Sequence, residues 1–115
     1  MEIQINTAGE VSVVTVNGNV LQENVSVFKE ALLNLIKLGK VKIVLDLWSS
    51  IYISSLCLAT IVDMRKRANE LGGDLKLARI NKLAQNLLEA TNLMRKIETF
   101  PDVDSAVNSF SPSKP

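Results

Sequence analysis

A chain of 115 residues, 47% hydrophobic and 22% charged, can bury a core as one compact domain and is too apolar to stay unfolded. Its formal net charge of +1 removes the electrostatic case for a dedicated nucleic-acid or membrane-surface binder. With no histidine and a single cysteine, Cys57, it lacks the commonest general base and the makings of a zinc site or an internal disulfide.

Ile3 and Ile5 alternate with polar neighbours and predict a short edge strand. Val11 to Val16 is rich in β-branched residues and predicts a second strand, followed by turn chemistry at Asn17-Gly18-Asn19. From about Gln22 to Leu38, Val25, Phe28, Leu32, Leu35 and Ile36 fall on one helical stripe, and Gly39 supplies a stop. Val41 to Leu47 reads as a strand buried on both faces, as at the centre of a parallel sheet. Trp48-Ser49-Ser50 is loop, and Ile51-Tyr52-Ile53 leads into Ser54 and Ser55. A helix is expected from Ser55 to Leu71, closed by Gly72-Gly73, with Arg65-Lys66-Arg67 suited to its last turns. Asp74 to Ala78 alternates as a strand, and Asn81 can cap a helix carrying Leu83, Leu87 and Leu88. Ile97 to Phe100 is a short strand, Pro101-Asp102 opens a last helix, and residues 111–115 form a polar tail expected to fray.

Strands that alternate with helices after Asn17 imply an α/β layer architecture with parallel pairing. The expectation is a single domain over residues 1–110, with a mixed, largely parallel β-sheet and about four helices. No G-x-G-x-x-G or G-x-x-x-x-G-K-[ST] cradle is present, so no cofactor, metal or catalytic residue is assigned. The opening MEIQINTAGE is unlike a secretory leader, and no apolar run is long enough to cross a bilayer, so a cytoplasmic location without membrane insertion is expected.

The serines between strand and helix carry the functional question. A hydroxyl there caps a helix, worth about 1 kcal/mol, or it takes a phosphate where helix N–H groups and dipole favour anions. Cys57 in the first turn is a reactive thiol or a small core residue. Trp48 and Tyr52 are partner anchors or covers for the sheet end. Arg65-Lys66-Arg67 binds an acidic partner or is a solvated face. Asp46 and Asp63 make no recognisable acid–base pair, and Asp46 is expected to tie down a strand end.

From about Val11 to Val107 the chain resembles the STAS domain, the module of bacterial anti-sigma factor antagonists and of the cytoplasmic ends of sulfate transporters. The resemblance lies in "VTVNGNV", "KIVLDL", "SSIYISSLCL", "ELGGDLKLARIN" and "LLEATNLMRKIETFPDVDSAV", taken in that order. In the antagonists the segment after the Asp-Leu strand typically ends Asp-Ser-Ser-Gly-Leu, and its first serine is phosphorylated. Counting from Asp46-Leu47, that serine is Ser55, with Ser54, Leu56 and Cys57 replacing the acid, the second serine and the glycine, and Leu58 keeping the leucine. An Asp frequent shortly after the turn glycine falls on Leu21. The substitution at Cys57 is expected to fill space that the glycine leaves for a partner's backbone.

The resemblance implies a bacterial signalling protein in transcription regulation: an anti-sigma factor antagonist, not an enzyme, that acts by partner switching. Its partners would be an anti-sigma factor with serine kinase activity and a serine phosphatase. Ser55 would be the phosphorylation site and Ser54 the helix cap. Leu21, Gln22, Asn24, Tyr52, Leu56, Cys57 and Leu58 would contact the partner. The alternative is a constitutive, non-phosphorylated adaptor subunit of a lipid-transport complex or signalling scaffold.

Overall fold

The computed structural model describes residues 1–50, 52–91 and 97–110. Ile51 and the tail expected to fray lie outside the described residues. Five strands, β1 (Glu2–Ala8), β2 (Val11–Asn17), β3 (Lys42–Asp46), β4 (Asp74–Ala78) and β5 (Thr99–Phe100), form one sheet in the order β1-β2-β3-β4-β5. The first pair is an antiparallel hairpin and the other three pairings are parallel. The helices are α1 (Val25–Lys37), α2 (Ser55–Glu70), α3 (Lys82–Ala90) and α4 (Val103–Asn108). The fold is thus a single domain with a five-stranded, mostly parallel sheet and four helices, as the alternation of elements predicts.

Strand alternation sorts the side chains onto two faces. Val14, Val16, Ile43, Leu45, Leu47, Leu75 and Leu77 face the larger core. There they meet Phe28, Leu32, Leu35 and Ile36 of α1, Cys57, Ile61 and Met64 of α2, and Ala84 and Leu88 of α3. The opposite face carries Val11, Val13, Val44 and Ala78, covered by Ala106, Val103 and Val107 of α4. Lys76 also points to this second face, where its side chain is only 8% exposed. Its ammonium pairs with Glu98 at 3.2 Å, donates to Ser109 Oγ at 2.8 Å, and sits 4.3 Å from the centre of the Phe110 ring. A cation that buries its stem this way needs each of those partners.

Several details differ from the sequence expectation, among them β5, which spans Thr99–Phe100 and not Ile97–Phe100. β1 is seven residues long rather than short. α1 begins at Val25, not Gln22, because the Asn24 carboxamide turns back to accept from Leu21 N–H at 2.7 Å and holds residues 21–24 as a turn. Of the leucines expected on α3, Leu88 is buried in the core beside Ala84, whereas Leu83 is 60% exposed.

Candidate functional site

β2 and β3 lie parallel, so the loops at their C-terminal ends emerge side by side. Short polar side chains lace the two loops together across more than thirty residues of sequence. Gly18 N–H donates to Ser49 Oγ at 3.0 Å, and Ser49 Oγ donates to the Val16 carbonyl at 3.0 Å. Ser50 Oγ donates to the Gly18 carbonyl at 2.8 Å, and Tyr52 N–H donates to Asn19 Oδ1 at 3.0 Å. Val20 and Ile53 then pair as a parallel bridge, both side chains buried. Asn81, at the start of α3, adds a third strand end by donating from Nδ2 to the Ser50 carbonyl at 3.1 Å. Each loop backbone group so tied is held by a group distant in sequence, which fixes the segment that delivers Ser54 and Ser55.

Ser54 is the N-cap of α2. Its backbone is extended, and its Oγ accepts from Cys57 N–H at 3.1 Å. Ser55 follows as the first helical residue and is exposed. The two hydroxyls therefore have different surroundings: one is turned to the helix's own backbone and the other faces outward at the positive end of a 16-residue helix. Beside Ser55 the surface is apolar: Tyr52 is 52% and Leu56 46% exposed, and Leu21 on the neighbouring loop is half-buried. From Ser55 a shallow groove of about 520 Å³ runs along α2 against α3, floored by Leu58, Ala59, Val62 and Leu87 and reaching Lys66.

Two residues expected to contact a partner are buried in the core. Cys57 is fully buried and Leu58 is 4% exposed. On α2, Cys57 aligns with Ile61, Met64 and Ala68 at steps of four, three and four, the stripe that faces the sheet. Cys57 therefore fills core volume and not the space an approaching partner would enter, and Leu58 reaches the surface only as groove floor. Asn24, also expected as a contact, is occupied within its own loop, accepting from Leu21 N–H and donating to the Asn19 carbonyl at 3.3 Å. Gln22, Tyr52 and Leu56 are exposed.

Burial also decides the chemistry of the thiol. Desolvation pushes Cys57 up to about 12 from its ordinary 9.0. The folded protein keeps this proton where an unfolded chain would release it. The resulting stability is complete below pH 9 and is lost as pH rises from there toward 12. Cys57 is expected to resist iodoacetamide at about pH 8 in native buffer and to alkylate fully in strong urea, read by intact mass; rapid native labelling would contradict the buried, protonated thiol.

Asp46, Asp63 and Asp74 each pair with an arginine. Asp46, 3% exposed at the end of β3, takes a bidentate pair of bonds from Arg79, at 3.0 Å from Nε and 2.5 Å from Nη2. That hydrogen bonding raises the Arg79 guanidinium above its ordinary value. Arg79 adopts a left-handed backbone, φ +56°, unusual for a residue other than glycine, and its guanidinium lies 5.5 Å from the centre of the Trp48 ring. Asp63 pairs with Arg67 at 3.5 Å and Arg65 with Asp74 at 3.0 Å. Asp46 and Asp63 thus serve different arginines. Among the described residues no group of three or more His, Cys, Asp or Glu could hold a metal ion, and no helix is long and apolar enough to cross a membrane.

A five-stranded mixed sheet with three helices on one face and a short fourth on the other is the architecture of one class of domain. The family model of the STAS domain matches residues 2–106, and the chain belongs to that family. Among solved structures it is similar to TM1081 of Thermotoga maritima, assigned as an anti-sigma factor antagonist, at 25% identity and TM-score 0.89 over 93% of this chain and 92% of that one. It is similar to an anti-sigma factor antagonist from Mycobacterium paratuberculosis at 17% identity and TM-score 0.85, covering 94% and 92%. The Bacillus cell fate determinant SpoIIAA in its phosphorylated form shares the fold at 12% identity and TM-score 0.74, covering 96% and 100%. A search of curated proteins finds no match.

Proposed function

We propose that this protein is a cytoplasmic bacterial anti-sigma factor antagonist that works by partner switching and catalyses nothing itself. Unphosphorylated, it binds an anti-sigma factor that is also a serine kinase and so frees a sigma factor; a serine phosphatase resets it. The observation that carries this reading is the placement of Ser55. Its exposed side chain opens α2 beside exposed Leu56 and Tyr52, on a loop pair fixed by cross-loop hydrogen bonds. The fold neighbours named as anti-sigma factor antagonists support it.

The partner surface in this reading is Leu21, Gln22, Tyr52, Ser55 and Leu56, without Cys57 or Leu58. A phosphate on Ser55 adds roughly −1.5 to −2 charges at pH 7. A partner that covers Leu56 and Tyr52 would have to bury that charge, whereas in the free protein water and the helix N-terminus hold it. The switch needs no refolding, because Ser54 and not Ser55 caps the helix. The inward orientation of Cys57 supports this reading over a constitutive adaptor, because its side chain does not occupy the surface beside Ser55. Ser55→Asp is expected to weaken binding to the anti-sigma factor by about tenfold or more, roughly 1.4 kcal/mol, while Ser55→Ala stays within about twofold of wild type. Calorimetric titration of both variants decides it; equal affinities would remove the electrostatic switch.

A further inference from the structure

The sheet has two edges of different character. At one, β5 is two residues long and flanked by α4. At the other, β1 runs seven residues in unbroken one-to-one register with β2, from Glu2 opposite Asn17 to Ala8 opposite Val11. Its outer side pairs with no strand among the described residues. Edge strands are ordinarily protected by lysine, proline, a bulge or shortness. β1, EIQINTA, has none of these and a single charge at its first residue. It also carries an apolar side chain that the monomer leaves uncovered: Ile5, opposite Val14 on the helical face, is 45% exposed.

We propose that the outer edge of β1 pairs antiparallel with β1 of a second copy, giving a two-fold dimer with one continuous sheet across both copies. The sequence of the strand is self-complementary in that arrangement. Centred on Ile5, the two-fold sets Ile5 against Ile5, Gln4 against Asn6, Ile3 against Thr7 and Glu2 against Ala8. The two Glu2 carboxylates fall at opposite ends, so no like charges meet. Opposed residues in an antiparallel pair point to the same face, so Ile3, Ile5 and Thr7 of both copies line one row on the helical side, apolar at its centre. The exposure of Ile5 means that the helices leave that row open to a partner. The surface lies on β1, whereas the proposed switch site lies on the loops after β2 and β3 and the start of α2, so the dimer stands or falls independently of the phosphorylation reading.

The test is mass in solution against concentration. Light scattering of the wild-type chain is expected to move from 12.6 kDa toward twice that value as concentration rises. Ile5→Lys and Ile5→Glu, each checked for native circular dichroism, are each expected to stay monomeric because they place like charges across the two-fold. Their equimolar mixture is expected to regain the dimer. Val27→Lys, a change at an exposed position on α1, should dimerise as wild type does. In case a charged variant fails to fold, Ile5→Cys in a Cys57→Ala background is expected to form a covalent dimer with glutathione disulfide. A wild-type monomer at every concentration, a dimeric Ile5→Lys, or an Ile5→Cys chain that forms no cross-link would overturn the proposal.

Discussion

Gly73→Ala is expected to destabilise the protein by about 3 kcal/mol, the upper range for forcing an atom into a packed site, and to lower the urea midpoint accordingly. A Cβ at this position would lie 2.0 Å from the Val41 carbonyl oxygen, 2.5 Å from its carbon and 2.6 Å from the Val41 Cβ. Two of those atoms are backbone and cannot swing aside. The close approach has a structural purpose: Gly73 N–H donates to the Ala68 carbonyl at 2.8 Å, and Asp74 N–H donates to the Val41 carbonyl at 2.9 Å. These bonds end α2 and start β4 beside β3. The neighbouring Gly72 differs in kind. Its φ is +86°, yet a Cβ placed there would meet nothing within 4 Å, so Gly72→Ala carries only the left-handed penalty of about 1 kcal/mol. Equal losses for the two variants would contradict the clash.

Phe28→Ala is expected to cost about 4 kcal/mol, the middle of the range for emptying a buried aromatic site. Phe28 is fully buried on α1 and belongs to the same core cluster as Val20 and Ile53, the pair that bridges the loops after β2 and β3. The loss should therefore appear twice, as a lower denaturation midpoint and as faster amide exchange at Val20 and Ile53. Val27→Ala, one residue away but 57% exposed, should change stability by no more than about 0.5 kcal/mol. A Phe28→Ala protein as stable as Val27→Ala would mean that α1 does not anchor the loops.

Where burial follows local periodicity, the sequence reads directly. The stripe Phe28, Leu32, Leu35 and Ile36 predicts the buried face of α1, and the apolar run in β3 predicts a strand covered on both sides. β1 is longer than its alternation suggests, because an edge strand exposed on both faces has little burial pattern to display. Lys76 is hidden for the opposite reason: a lysine in an alternating strand looks solvent-facing, and only α4, Glu98 and Ser109 together make its burial tolerable. In the candidate site, the inward turn of Cys57 follows from its spacing to Ile61, Met64 and Ala68 once the helix begins at Ser55. The lacing of Ser49, Ser50 and Asn19 does not, since partners 31 to 33 residues apart leave no local signal. The Asp46–Arg79 pair is half visible: the sequence marks Asp46 as tying a strand end, but Arg79 meets it from a left-handed backbone that no local pattern announces.

Because the loops are fixed by their own hydrogen bonds and Ser54 holds the cap, a change at Ser55 is expected to act on a partner and not on the fold. Incubation of the wild-type chain with its cognate anti-sigma kinase and ATP, followed by intact mass, site mapping and a binding titration of the product, tests this most directly. The expected result is one added phosphate on Ser55, an unchanged denaturation midpoint and a loss of kinase binding of about tenfold or more. No phosphate on Ser55, or a phosphorylated chain that binds as tightly as the unmodified one, would contradict the partner-switching account.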